Sequence, residues 1–246
     1  MTTLCIILGR AGSKGLPGKN VLPVAGRPMA LWTIEFALRA RSLSQVVVST
    51  DSGELAAIGR EHALRVVDRP AVLASDTATV DAAARHALEQ VEAERGGRFD
   101  AVVILYANVP VRPADLADRA VAKLRDTGCD SVQSVTSVGK MHPYWMKRLT
   151  GAEEDVAGRV AGDVIEAYEA NSVYRRQDLP PVYMLDGGII AVRRESLLTV
   201  VQGQPHAFLG RDRRAVVTGP GEVVDVDSEH DRRVAEAVLT AGASGS

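Results

Sequence analysis

The sequence predicts an α/β fold, a mostly parallel sheet with helices on both faces. Three observations predict it. Short continuous apolar runs recur along the first 130 residues, as strands buried on both faces require. Segments with apolar residues at helical spacing alternate with those runs, the pattern of successive strand–helix–strand units. The chain has 246 residues, enough for one large α/β domain or a main domain with a smaller appendage.

Leu4–Leu8 is the first apolar run and reads as a strand. Pro28 then opens a helical stretch in which Leu31, Ile34 and Leu38 recur at helical spacing, with Pro at a favoured first-turn position. Gln45–Ser49 is a second strand. Asp51-Ser52-Gly53-Glu54 after it reads as an N-cap with a capping-box glutamate. Leu64–Val67 is a third strand, and Asp76 or Thr77 starts a long helix to about Glu94. Asp100–Leu105 is a fourth strand, Pro113–Arg125 a helix, and Ser131–Val135 a further strand. Residues 139–187 break the pattern with tyrosines, a polar stretch from Gly151 to Arg159 and a Pro-Pro pair, and read as an irregular inserted arm. Gly188–Val192 and Ala215–Val217 return to strand character. Ser228–Thr240 is a C-terminal helix capped by Ser228, and the small polar tail after it is expected to fray. The domains are therefore 1–138 with 188–246, and the insertion 139–187.

Composition narrows the function. A net charge of -2 offers no basic surface for nucleic acid. The apolar run at Leu4–Leu8 is too short for a signal-peptide core or a membrane span. Cys5 and Cys129 form no CxxC pair, which argues against a cysteine zinc site and for a reducing, cytoplasmic setting. The histidines show no HxH or HxxxH spacing, and no G-x-S-x-G elbow is present.

Ligands of open parallel sheets bind outside the carboxyl ends of the strands, so the segments after strands carry the search. The first, Gly9–Asn20, holds Gly9, Gly12, Gly15 and Gly18 with Arg10, Lys14 and Lys19. Glycines let main-chain N–H groups approach phosphate oxygens, and the cations neutralise a triphosphate and its leaving pyrophosphate. The loop fits neither the Walker pattern nor the dinucleotide fingerprint. A flexible basic turn is the plain alternative. Asp225 and Asp227 form a second feature. Alternation in an extended segment sets both carboxylates on one face, a hard oxygen pair suited to Mg²⁺, or equally a solvated turn before a capped helix. Arg112 after the fourth strand, and Arg175-Arg176 in the arm, could each meet an anion or simply face solvent.

The run ILGRAGSKGLPGKN resembles the N-terminal signature of the acylneuraminate cytidylyltransferase family. VVVSTDSGELA, RPAVLASDTAT, SVQSVTSV with HPYW, RRQDLPPVY with DGGIIAVRR, and VVDVDSEHD follow in the family's order. The resemblance implies a Rossmann-like nucleotide-diphospho-sugar transferase fold with a dimerisation arm. It implies CMP transfer from CTP to the anomeric hydroxyl of a 2-keto-3-deoxy sugar acid, dependence on Mg²⁺, and a homodimer, with a tetramer left open. Carried over by motif, Arg10, Lys14 and Lys19 hold the triphosphate and, with Asp227, serve catalysis. Leu8, Gly9, Ala11, Gly12, Ser13 and Asn20 shape the nucleotide site, and Arg69, Ser75 and Thr77 surround base and ribose. Tyr106, Asn108, Arg112, Arg176, Gln177, Asp186, Gly187 and Gly188 face the sugar acid, and Asp225 and Asp227 bind Mg²⁺. The chain departs from the family pattern at Tyr106, where a glutamine is usual, and at Asp186–Ile190, where NGAIY is usual. Both departures fall on the acceptor side. A related nucleotidyltransferase acting on Kdo or a sugar phosphate, and a non-catalytic nucleotide- or sugar-binding protein, are the competing readings.

Overall fold

A computed structural model describes residues 1–13, 15–150, 162 and 164–243. In chain order the elements are β1 (Thr3–Leu8), a small hairpin of β2 (Pro23–Val24) and β3 (Arg27–Pro28), α1 (Met29–Arg39), β4 (Gln45–Thr50), α2 (Gly53–Glu61) and β5 (Arg65–Asp68). They continue with α3 (Ala71–Ala74), α4 (Val80–Arg95), β6 (Ala101–Tyr106), α5 (Leu116–Thr127), β7 (Ser131–Ser137), β8 (Lys147–Thr150) and β9 (Val164–Ala167). The last are β10 (Tyr183–Arg193), α6 (Arg194–Leu197), β11 (Arg213–Thr218) and α7 (Glu229–Ala243).

Seven strands form one sheet in the order β11-β7-β10-β6-β1-β4-β5. β1 runs parallel to both β4 and β6, and β4 parallel to β5, while β10 is antiparallel to β6. The sheet is thus mixed. The antiparallel strand is the one reached after the irregular segment, whose return connection is not a helical crossover.

The alternation of β1 explains the two helical layers. Cys5 and Ile7 join a core with Ile34 and Phe36 of α1, Leu55 of α2 and Leu116 and Leu124 of α5. Leu4, Ile6 and Leu8 face the other way, onto Ala84, Leu88 and Val91 of α4 and Leu197 of α6. A strand buried on both faces reads as a continuous apolar run for this reason. A third, smaller core gathers Val24, Met29, Val111, Val224, Val226 and Ala235.

Several boundaries move from their sequence-based positions. Thr79 caps α4 by accepting the Ala82 N–H at 3.4 Å, so residues 75–78 stay outside the helix that was expected to begin at Asp76 or Thr77. α5 starts after Asp115 rather than at Pro113, and it ends at Gly128 in the left-handed conformation. The N-cap of α2 is Ser52, whose hydroxyl accepts from Leu55 N–H at 3.3 Å, and not Asp51. α7 reaches Ala243, into the tail expected to fray.

The chain divides into two compact units, Met1–Val135 with Leu185–Ser246, and Thr136–Met184. The second unit is three residues earlier at each end than the 139–187 boundary drawn from sequence. Within it β8 and β9 pair antiparallel, from Lys147 opposite Ala167 to Thr150 opposite Val164. His142 fastens it, its Nδ1 accepting from Tyr144 N–H at 3.1 Å and its Nε2 lying 3.1 Å from the Pro180 carbonyl. The polar stretch Gly151–Arg159 lies outside the described residues. No helix among the described residues is long and apolar enough to cross a membrane.

Candidate nucleotide-transfer site

Leu8 pairs in register with Ser49 on one side and Tyr106 on the other, all in parallel strands. The loops after β1, β4 and β6 therefore leave the sheet at the same edge. The chain also switches direction at β1, with β4 and β5 to one side and β6 to the other, the usual place for a ligand crevice.

A cleft of about 220 Å³ opens there, lined by Leu8, Gly9, Arg10, Lys19, Asn20, Arg69, Ser75, Tyr106 and Asn108. Leu73, Asp76, Ala78, Thr79, Val80 and Ala83 complete its wall. Ala11, Gly12, Ser13 and Thr77 do not line it, although the Thr77 hydroxyl is 3.3 Å from that of Ser75. Lys14 lies outside the described residues.

The loop between β1 and α1 is braced at several points. The Asn20 amide donates to the Arg10 carbonyl at 2.9 Å, tying the loop's end to its start. Ala11 N–H donates to the Asp51 carboxylate at 2.8 Å. Asp51 was read as a helix cap, and its real partner is in the loop. A capping pattern in sequence does not distinguish two neighbouring oxygens, which is why its part in the site was missed. Gly15 packs on the far end of the chain, where a Cβ would stand 2.8 Å from the Asp227 carbonyl.

Cations and carboxylates face one another across the cleft. Arg10 donates to Asp76 at 2.6 Å, and Lys19 to Asp227 at 2.5 Å. Arg69 is held by the Ser49 carbonyl at 2.6 Å, and burial holds its guanidinium below the ordinary arginine range. One acceptor is unspent: the Asn20 side-chain oxygen is buried and has no hydrogen-bond partner. A buried orphan acceptor on a cleft wall is a place for a ligand donor.

Val226 is fully buried in the third core, and the residues on either side of it, Asp225 and Asp227, differ in exposure. The Asp227 side chain is 72% exposed. Asp225 is largely buried, and its carboxyl is pushed up to about 6, first by burial and then by the charge of Asp227, against Lys19 and Arg112. The Asp227 charge works against ionisation of Asp225, and a cation beside the pair would relieve that. Among the described residues no group of three or more His, Cys, Asp or Glu gathers to hold a metal. A two-carboxylate set fits Mg²⁺ whose remaining ligands are water and substrate phosphate oxygens.

The acceptor-side residues behave differently. Arg112 is half-buried and turned into the framework. Its guanidinium donates to the carbonyls of Gly188 at 2.6 Å, Tyr106 at 3.0 Å and Val109, and to the Thr33 hydroxyl at 2.9 Å. Burial brings its pKa down to about 9. Arg112 was expected to face the sugar acid; the structure gives its guanidinium four framework bonds, to three main-chain carbonyls and the Thr33 hydroxyl. Asp186 is also committed: Thr218 donates to it at 2.6 Å, Gly188 N–H at 2.9 Å, and Ser134 Oγ completes the set. Its carboxylate knits β7, β10 and β11 together. Tyr106 does line the cleft, and burial pushes its hydroxyl up to about 12, with Asp225 adding to the effect. Arg176 and Gln177 belong to the second unit, in a short turn from Arg176 to Asp178. There Arg176 borders a hollow of about 170 Å³ with His142 and Pro180–Val182.

Residues 4–201 match the family model described as cytidylyltransferase. The chain belongs to the cytidylyltransferase family. It is 32% identical over 200 residues to an N-acylneuraminate cytidylyltransferase of Streptococcus agalactiae, a match covering 80% of this chain and 45% of that protein. The chain thus spans less than half the length of that relative. It is 27% identical over 241 residues to a CMP-N,N'-diacetyllegionaminic acid synthase of Legionella pneumophila, covering 97% of each. Among solved structures, a CMP:2-keto-3-deoxy-manno-octonic acid synthetase complexed with CTP superposes with a TM-score of 0.68. It shares 17% identity and covers 98% of this chain and 100% of that one. That likeness establishes a shared fold, mostly parallel with flanking helices.

Proposed function

We propose that this protein transfers CMP from CTP to the anomeric hydroxyl of a 2-keto-3-deoxy sugar acid of the nonulosonic class, with release of pyrophosphate. The observation that carries the reading is the cleft at the parallel strand ends. There Arg10, Lys19 and the unspent Asn20 oxygen meet, and Lys19 bridges directly to Asp227. The full-length match to a CMP-legionaminic acid synthase supports the acceptor class.

The chain's own groups suit an in-line displacement at phosphorus, which needs positioning and charge stabilisation more than a covalent nucleophile. Arg10 and Lys19 are placed to neutralise the β- and γ-phosphates, and Lys14 carries the same role by its motif. Asn20 offers its oxygen to a donor on the nucleotide. The sugar hydroxyl oxygen bonds to the α-phosphorus as the bond to the bridging oxygen breaks. The electron pair leaves with pyrophosphate, and the hydroxyl proton passes to water. Asp225 and Asp227 would hold Mg²⁺, and the ion would offset negative charge at the reacting phosphate and favour ionisation of the attacking hydroxyl.

We further propose a homodimer formed through the second unit, which exposes Met141, Leu149, Ile165, Tyr168 and Tyr174. The two free, buried cysteines suit a cytoplasmic location. Pyrophosphate release tests the chemistry. CTP with a nonulosonic acid is expected to release it, and the same acid with UTP, ATP or GTP is not. Equal release with a hexose 1-phosphate as acceptor overturns the assignment, and so does CTP binding with no release for any keto acid.

A further inference from the structure

We infer that Asn108 is a positioning residue for Asp225, tying down one carboxylate oxygen so that the other is presented to a divalent cation. The inference rests on the proposed Mg²⁺ role of the Asp225–Asp227 pair.

Asn108 is only 9% exposed, and its amide nitrogen spends both hydrogens inward. It donates to Asp225 Oδ1 at 2.5 Å and to the Val226 carbonyl at 3.1 Å. Both partners are acceptors, so the atom facing them is the nitrogen. The main chain repeats the link, with Val226 N–H donating to the Asn108 carbonyl at 3.0 Å. A side chain so committed has no donor left for a sugar hydroxyl.

The opposite side of the carboxylate is shaped by Gly187. Its φ is +76°, and a Cβ there would stand 2.9 Å from Asp225 Oδ2. A side chain at that position would crowd this oxygen. Behind both walls stands Arg112, which bonds the carbonyls of Tyr106 and Val109, flanking Asn108, and that of Gly188, next to Gly187. The turn that carries Asn108 and the strand that carries Gly187 are thus fixed to one buried guanidinium. Groups that hydrogen-bond a metal ligand set its direction and its affinity for the ion. Asp225 is therefore oriented before the ion arrives.

The test is a titration of Mn²⁺, as a surrogate for Mg²⁺, into nucleotide-free protein, following free Mn²⁺ by electron paramagnetic resonance. Asn108→Ala is expected to weaken Mn²⁺ binding about tenfold or more, the usual scale for removing a partner of a metal ligand. Raising Mg²⁺ restores its turnover, and the sugar-acid KM stays at the wild-type value. Asn108→Ser keeps a shorter donor and falls between the two. In an Asp225→Asn background the same Asn108→Ala change alters Mn²⁺ affinity by less than about twofold, since the two groups act as one unit. Wild-type Mn²⁺ affinity in folded Asn108→Ala or Asn108→Ser, with a raised sugar-acid KM, overturns the inference and makes Asn108 a substrate contact. Equal Mn²⁺ affinity in the wild type and Asp227→Ala is a different failure, that of the metal reading itself.

Discussion

The two sides of the cleft contrast in what their polar groups are doing. On the nucleotide side, Arg10, Lys19 and Asn20 stand at the cleft wall, and their partners Asp76 and Asp227 are themselves partly exposed. On the acceptor side, Arg112 and Asp186 bond the framework, and Asn108, though on the cleft wall, spends its amide hydrogens on Asp225 and the Val226 carbonyl. The difference teaches that a polar residue placed after a strand is not thereby a ligand contact. Whether its donors and acceptors are already spent decides that, and only the three-dimensional partners show it.

The contrast can be broken in several ways. The largest effect is expected at Asp227→Ala, which should lose at least ~10²-fold in turnover, the scale for removing one preorganised electrostatic group. Steady-state kinetics at ordinary Mg²⁺ checks this, and near-normal turnover would remove Asp227 from the chemistry.

Arg112→Met sharpens the other side. It removes a donor from the carbonyls of Gly188, Tyr106 and Val109; the Thr33 hydroxyl still reaches the last two, so the loss falls mainly on Gly188, at about 1–3 kcal/mol. Denaturant unfolding should show a stability loss of roughly 1–3 kcal/mol. The fraction that folds should keep its sugar-acid KM within about threefold. A large rise in KM with unchanged stability would return Arg112 to the substrate.

The α/β alternation was legible because β1 and β6 are buried on both faces and carry no polar interruption. The loop after β1 was legible as a candidate site because its glycines and cations are contiguous in sequence, and Arg10 and Lys19 do reach the cleft wall. The antiparallel β10 was not, since strand direction depends on the path taken between Val135 and Leu185, where periodicity gives no guide. Nor was the start of α4. Asp76 and Thr77 have the composition of a cap, yet Thr79 wins the hydrogen bond and leaves Ser75, Asp76 and Ala78 to wall the cleft. The framework bonds of Arg112 and Asp186 were not legible for a related reason. Residue type says that a charge must be satisfied, and the sequence does not say by what.

A smaller effect is expected at Asp186→Asn. An amide keeps one acceptor for the Gly188 N–H but cannot accept from both Ser134 and Thr218 as before, at about 1 kcal/mol. Unfolding midpoints should fall modestly while the sugar-acid KM holds.

The least dramatic test is pH, read at Glu92 on α4. Two bonds of 2.8 Å from Arg194, with the Phe99 N–H at 2.9 Å, hold its carboxyl below the ordinary glutamate value of 4.5. A depressed carboxyl contributes stability that is present above 4.5 and is lost as pH falls through the lower folded-state value. Glu92→Gln should therefore flatten the acid limb of the stability profile and leave the limb above neutrality unchanged. An identical acid limb in the variant would show that the pair does not carry it.

The central claim is that the loop from Gly9 to Asn20 grips the triphosphate of CTP. Calorimetric titration of CTP into the wild type and Lys19→Ala, with Mg²⁺ present and no sugar acid, tests it most directly. Binding weakened about tenfold or more in the variant is the predicted result, as loss of a charge-assisted bond to phosphate requires. Equal affinity in the two proteins would contradict the account.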